Sequence, residues 1–77
     1  MRGSRPPHLM DLKETFARNV RLTRTKKRWS QEELGERSGL TRNYIGMIER
    51  SETSASIDAI EAVADALGVL ASDLLKK

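Results

Sequence analysis

The stretch "SQEELGERSGLTRNYIGMIER", from Ser30 to Arg50, constrains the fold more than any other part of the chain. Its few apolar residues recur at helical spacing, and a Ser-Gly pair separates two helix-like halves. Ser30 fits an N-cap with Glu33 three residues later, and Gly39 is the residue best able to adopt the left-handed conformation that ends a helix. Thr41 fits the N-cap of the next helix. The pattern predicts two short helices joined by a tight glycine turn.

Helical periodicity continues on both sides of this stretch, and no sustained two-residue alternation indicates a strand. Leu34, Ile45 and Ile48 fall where the two central helices must contact each other and the core. A final turn or two of helix fits the tail. The other predicted helices cover approximately these ranges: 11–25, 30–39, 41–50 and 56–68. The sequence therefore predicts an all-α fold, a compact five-helix bundle.

The length and composition restrict the class of protein. A chain of 77 residues forms one domain at most, and so small a core provides a net stability of about 3–5 kcal/mol, which favours oligomerisation. The absence of cysteine excludes disulfides and thiolate metal sites, and it predicts a cytoplasmic protein. No apolar run approaches the roughly 18 residues that a membrane span requires, so no membrane partner is expected.

The first nine residues, "MRGSRPPHL", lack helical periodicity and are predicted to be a disordered leader left over from cloning, which places the domain at residues 10–77. Without this leader, the Lys and Arg count falls from 14 to 12 against 11 acids, so net charge is weak evidence for a nucleic-acid partner. The distribution of charge is more informative. Six basic residues and no acid occur between Arg18 and Arg28.

Two short helices separated by a glycine-containing turn form a helix-turn-helix, whose second helix enters the DNA major groove. The segments "WSQEELGERSGLTRNYIGMIER" and "ALGVLASDLL" resemble the lambda-repressor-like, Cro/repressor-type helix-turn-helix family over about Phe16 to Leu75. Within it, "TRNYI…IER" is most similar to the small controller proteins of restriction-modification systems. The resemblance implies a five-helix lambda-repressor-like DNA-binding domain that binds a (pseudo)palindromic operator as a homodimer and regulates transcription.

Glycine and capping positions carry both the resemblance and its departures. Gly35 lies where the two central helices must cross, and a large side chain there would hold them apart. Arg28 and Ser51 stand where the family often has glycine, and Leu70 stands where a capping serine is common. These departures weaken helix capping but remove none of the side chains predicted to face the groove.

The third helix supplies the candidates for base contact. Arg42 and Asn43 occupy its first turn; arginine can bind guanine O6 and N7 bidentately, and asparagine can pair with adenine N6 and N7. One turn later, Gly46 would let the helix lie close to DNA, and Met47 would either touch a thymine methyl group or pack against the protein. The predicted base contacts are therefore Arg42, Asn43 and Met47.

A second group of polar side chains is predicted to contact phosphates. Gln31 has no obligatory packing task at the positive N-terminal end of the second helix. Arg50 fits a phosphate or outer base contact or a helix-end cation, and Tyr44 fits a phosphate contact or a half-buried ring. Arg28 would add salt-dependent attraction to the DNA backbone or serve as a helix-end cation. The predicted phosphate contacts are Gln31, Tyr44, Arg50 and Arg28.

Two further sets of residues have structural assignments. The family resemblance implies an ion pair between Arg24 and Glu49 that joins the first and third helices. Leu70, Leu74 and Leu75 exceed what a terminal helix on so small a body can bury, so they are predicted to form a twofold dimer interface. The alternative is that these leucines close the core of the monomer.

The sequence indicates a protein that is not an enzyme. Its only histidine, His8, lies in the predicted leader, no cysteine occurs, and no glycine-rich phosphate loop follows a strand, so no cofactor or metal is expected. The predicted partners are double-stranded DNA and a second copy of the chain. At a promoter, the protein would also block or contact RNA polymerase. Two alternatives stay open: a helix-turn-helix module for antitoxin-like or adaptor interactions, and the DNA-binding domain of a longer repressor.

Overall fold

The computed structural model describes residues 7–77, with side chains described from Leu12 onward. The all-α prediction is confirmed, because the described residues form five helices and no strand. The helices are α1 (Pro7–Lys26), α2 (Gln31–Ser38), α3 (Arg42–Glu49), α4 (Ile57–Leu67) and α5 (Ala71–Leu74). None of the described helices is long and apolar enough to cross a membrane.

Helix α1 begins earlier than its sequence pattern indicates. It starts at Pro7 instead of about residue 11, so residues 7–9 of the predicted leader lie within the helix. Proline is well suited to a first helical turn, because its fixed φ is helical and no intrahelical partner awaits its missing N–H. Residues 1–6 of the predicted leader lie outside the described residues.

Hydroxyl side chains begin the three middle helices. In each case the N-cap oxygen accepts a hydrogen bond from the backbone N–H three residues later, which satisfies one of the free donors of the first turn. The pairs are Ser30 with Glu33 at 3.0 Å, Thr41 with Tyr44 at 3.0 Å, and Ser56 with Ala59 at 3.1 Å. These local bonds account for the agreement between predicted and observed starts of α2, α3 and α4.

A left-handed residue follows each of the first four helices. Gly39 and Gly68 supply it after α2 and α4, with φ of 77° and 73°. Arg28 and Ser51 adopt φ of 62° and 59° after α1 and α3, at the positions where the family often has glycine. An L-residue in this region is strained by roughly 1 kcal/mol or more. The two departures therefore keep the family's turns at a cost in stability.

The core is one apolar cluster to which all five helices contribute. Its buried members are Phe16, Val20, Leu34, Ile45, Ile48, Val63, Ala64, Leu67 and Leu74. Leu34, Ile45 and Ile48 thus hold α2 and α3 to each other and to the rest of the domain. This packing turns the opposite face of α3 toward solvent.

Leu74 requires a correction to the predicted dimer interface. Its side chain is 1% exposed and belongs to the core, because α5 folds back against α1 and α4. The Asn19 side chain holds the end of α5 there by donating hydrogen bonds to the backbone oxygens of Leu74 at 2.9 Å and Lys76 at 2.7 Å. Leu74 is therefore unavailable for a contact with a second chain, whereas Leu70 and Leu75 stay 69% and 36% exposed.

The crossing of α2 and α3 depends on Gly35. A Cβ atom at Gly35 would lie 3.0 Å from the backbone nitrogen of Arg42 and 3.0 Å from the backbone oxygen of Leu40. Both neighbours are main-chain atoms of the turn and cannot rotate away. Glycine at this position therefore sets the close approach of α2 to the start of α3.

Candidate nucleic-acid interface

Helix α3 is amphipathic, and its two faces have different tasks. Ile45 and Ile48 point into the core, while Arg42 and Asn43 are exposed at its first turn. The Arg42 side chain forms no hydrogen bond or ion pair with another described residue. Among the side chains that the structure describes, the Asn43 amide contacts only the Met47 sulfur, weakly, at 3.8 Å. The donors on this turn are thus available to an external acceptor.

Met47 and Tyr44 lie at the margin of this exposed face. Both are partly buried, and the Tyr44 ring packs against the core cluster. Tyr44 therefore has the half-buried ring that the sequence allowed, and its assignment as a phosphate contact stays a prediction. The base contact assigned to Met47 also stays a prediction.

Glu49 fixes the far end of α3 from the buried side. Only 4% of the residue is exposed, and Arg24 of α1 binds both carboxylate oxygens, from Nε at 2.7 Å and Nη2 at 2.8 Å. Arg21 adds a hydrogen bond to the Glu49 backbone oxygen at 2.8 Å. A buried carboxylate requires such partners, because leaving it unpaired would carry a large desolvation penalty.

The balance of these effects decides the charge of Glu49. Burial alone would raise the pKa of this carboxyl, but the hydrogen bonds from Arg24 and Gln31 and the nearby guanidinium charges outweigh it. The net result is a pKa below the ordinary glutamate value. The pKa of Arg24 is raised in turn, chiefly by its hydrogen bond to Glu49. Both groups are therefore charged at neutral pH.

Gln31 has a structural partner that the sequence did not reveal. Its amide Nε2 donates a hydrogen bond to Glu49 Oε1 at 3.1 Å, which joins the start of α2 to the end of α3. The expectation that Gln31 has no packing task was therefore wrong. Because the Gln31 amide already donates to Glu49, the predicted phosphate contact of this residue would have to be made without breaking that hydrogen bond.

Arg50 also has a partner that the sequence analysis missed. Its guanidinium donates to Glu52, from Nε to Oε2 at 2.9 Å and from Nη2 to Oε1 at 3.1 Å. This pair lowers the pKa of Glu52 and raises that of Arg50, in both cases mainly through the hydrogen bonds. The sequence feature that could have revealed this pair is an acidic residue two positions after Arg50. The left-handed turn at Ser51 brings the two side chains together.

The basic end of α1 lies next to the start of α2. Lys26, Lys27 and Arg28 are all exposed. Two cations lie over the Trp29 ring, with Arg37 at 4.2 Å and Lys27 at 5.2 Å from its centroid. Lys26, Lys27 and Arg28 therefore stay in solvent at the end of α1 and in the loop before α2, whereas Arg21 and Arg24 of the same charge cluster bind Glu49.

Comparison with known proteins gives consistent matches. The family described as helix-turn-helix matches residues 20–74. A hypothetical transcription factor of Neisseria meningitidis is 45% identical over 69 residues, covering 90% of this chain and 65% of the relative. Control protein C.SmaI of Serratia marcescens is 43% identical over 68 residues, covering 88% of this chain and 81% of the relative. This chain thus spans slightly less than two thirds of the Neisseria factor.

A solved structure gives the same match in three dimensions. The restriction-modification controller protein C.AhdI from Aeromonas hydrophila superposes with a TM-score of 0.78 at 37% identity. The match covers 80% of this chain and 94% of that structure. The names of these proteins are those of regulators and not of enzymes, in agreement with the sequence prediction.

Proposed function

The chain belongs to the helix-turn-helix family of transcription regulators, and on that premise we propose that it binds operator DNA with α3 in the major groove. One observation carries the proposal: the first turn of α3 presents Arg42 and Asn43 to solvent, and among the described residues the only acceptor for either side chain is the Met47 sulfur, 3.8 Å from the Asn43 amide. The buried side of the same helix is held by Ile45 and Glu49. A rigid helix with free, directional donors is suited to reading base edges.

Residues around the start of α2 are suited to contact phosphates and so to orient the domain on the DNA backbone. The N-terminal turn of α2 has free backbone N–H groups and the positive end of the helix dipole. Gln31 and Tyr44 lie in the first turns of α2 and α3 and Arg28 lies in the loop before α2, and we assign their phosphate contacts as part of this proposal. Lys26 and Lys27 would add attraction that does not depend on sequence.

A homodimer completes the proposal. Leu70 and Leu75 expose apolar surface at α5, which a twofold contact with a second copy would cover. Two copies of α3 placed about 34 Å apart would read two half-sites of a palindrome. Leu74 contributes indirectly, because its burial fixes the position of α5.

The regulatory role proposed is that of a controller protein. Its basis is the identity of 43% to a protein named as a control protein and 37% to one named as a restriction-modification controller. We place the protein in the cytoplasm, where an operator is accessible. It would act by occupying a promoter site, where it either blocks or contacts RNA polymerase.

Selection from a random pool of DNA duplexes tests this function. The expected result is enrichment of a palindrome with two half-sites, bound with an affinity that falls steeply as salt increases. Indifference to every duplex at low salt would contradict the proposal and favour a protein-interaction module. Enrichment of a single asymmetric half-site would agree with DNA binding but would contradict the proposed homodimer.

A further inference from the structure

The Arg50 side chain does not extend beyond the end of α3 but folds back along it. A Cβ atom built on Gly46, one helical turn earlier, would lie 2.9 Å from Arg50 Nη1 and 3.6 Å from Cζ. The guanidinium therefore occupies the space in which a side chain at position 46 would stand. Because Gly46 follows Arg42 by four residues, this charge lies one turn from Arg42 on the same helix.

Glu52 determines which edge of the guanidinium is free. It accepts hydrogen bonds from Nε and Nη2 of Arg50, which together form one side of the planar group. Arg50 has five N–H donors in a fixed fork, so both donors of Nη1 and the second donor of Nη2 are left. No described residue accepts a hydrogen bond from Nη1. The Nη1–Nη2 edge can still form a bidentate contact.

The charge of Glu52 makes a base a better ligand than a phosphate. Its carboxylate neutralises Arg50 at hydrogen-bond distance and would repel a second anion placed beside it. A guanine edge carries no net charge, and its O6 and N7 acceptors match two parallel N–H donors. The pair therefore loses attraction for phosphate while it keeps the geometry for guanine.

We propose that Gly46 and Glu52 are positioning residues that hold Arg50 across the middle of α3, where its free edge reads a guanine in each half-site. This assignment replaces the phosphate contact predicted for Arg50, and it rests on the proposed DNA-binding function. Glu52 acts through Arg50 and does not itself contact the base. Gly46 acts by leaving room for the guanidinium against the helix.

The test compares two exposed Arg–Glu pairs in the same protein. Glu52→Gln removes the carboxylate that holds Arg50, and Glu33→Gln removes the partner of Arg37 on α2, a pair joined at 2.6 Å. Both substitutions delete one negative charge, so the two variants are matched in net charge. Binding is measured to the site enriched by the wild-type protein and to sites with 7-deazaguanine, which lacks N7, at each guanine.

We expect the wild-type protein to lose about tenfold in affinity when N7 is removed from one particular guanine of the half-site, because a bidentate contact is broken. Arg50→Lys identifies that guanine, since lysine cannot form the bidentate contact and should be insensitive to its replacement. Glu52→Gln should show less than about a twofold response at the same guanine, whereas Glu33→Gln should keep the wild-type response.

A second variant tests the positioning without changing charge. Gly46→Ala places a methyl group against Nη1, and the flexible end of Arg50 moves away from the helix while the fold is kept. Its response at the assigned guanine should match that of Glu52→Gln. Wild-type guanine preference in both variants would overturn the inference while the proposed function stands. Failure of the wild-type protein to enrich any site would reject both.

Discussion

Arg24 and Glu49 are joined by two hydrogen bonds, of 2.7 and 2.8 Å, that connect the last turn of α1 to the last residue of α3. Glu49 is almost fully buried, and Gln31 brings the start of α2 to the same carboxylate. Three helices therefore meet at one charge. The contact sets how α3 sits on the domain, and through it the direction in which Arg42 and Asn43 face.

Replacing Glu49 should destabilise the domain strongly. Glu49→Gln leaves the Arg24 guanidinium, whose side chain is 12% exposed, without its charged partner, at an expected cost of about 3 kcal/mol. Such a loss approaches the whole stability of a domain this size, about 3–5 kcal/mol. Urea unfolding followed by circular dichroism measures it. Glu52→Gln, which breaks an exposed pair, serves as the control and should unfold near the wild-type midpoint.

Acid should weaken the domain through the same carboxyl. Because the pKa of Glu49 is lowered on folding, its contribution is complete above the ordinary glutamate pKa of about 4.3 and is lost as pH falls through the lowered value. Gln31→Ala removes a hydrogen bond that lowers this pKa, so the variant should lose less stability over the same window. The free energy of unfolding in urea is measured for both proteins at steps of roughly half a pH unit from pH 6 downward, and its slope against pH is compared. Equal slopes for the wild-type protein and Gln31→Ala would show that the Gln31 hydrogen bond does not lower the pKa of Glu49.

Relief of a strained turn should stabilise the protein. Ser51→Gly replaces a residue at φ of 59° by the one residue that adopts this conformation without strain, with an expected gain of about 0.5–1 kcal/mol. Ser54→Gly provides a matched control, because Ser54 is exposed in the same loop and does not have positive φ. It should be neutral or slightly destabilising. Thermal unfolding distinguishes the two, and an equal response would show that the turn stores no strain.

Substitutions of the leucines in α5 and at its two ends should have two different effects. Leu70→Ser combined with Leu75→Ser should shift the monomer–dimer equilibrium toward monomer without unfolding, as measured by sedimentation equilibrium. Leu74→Ser should instead unfold the domain, because it removes a fully buried leucine at a cost of about 2–5 kcal/mol. Leu22→Ser, at an exposed leucine of α1, is the control. A double variant that dimerises like wild type would reject the interface.

Base readout and backbone attraction should respond differently to substitution. Arg42→Ala should reduce the preference for the selected operator over random duplex by about tenfold or more, because a bidentate base contact contributes about 1–3 kcal/mol. Lys27→Ala should weaken binding to both duplexes alike and reduce the salt slope by about 1. Fluorescence anisotropy over a salt series measures both quantities. Undiminished discrimination by Arg42→Ala would show that another residue reads the base.

Local features of the sequence determined where most helices begin and end. Ser30 and Thr41 accept hydrogen bonds from the backbone N–H three residues later, and Gly39 adopts a positive φ. Each helix boundary therefore depends on a few neighbouring atoms. The all-α class and the helix-turn-helix followed from the same short-range pattern. The interface donors Arg42 and Asn43 could likewise be located, since helical spacing places Asn43 opposite Ile45 and Ile48, and Arg42 directly follows the Thr41 N-cap at the edge of the apolar stripe.

Only the tertiary structure decided which polar and apolar groups were already in use. The packing of α5 against α1 buries Leu74, and the approach of α2 to α3 gives Gln31 a partner in Glu49. The left-handed turn at Ser51 brings Glu52 to Arg50. These contacts join segments whose separation in space is set by docking or by an unusual backbone angle, and residue spacing along a helix carries no information about either.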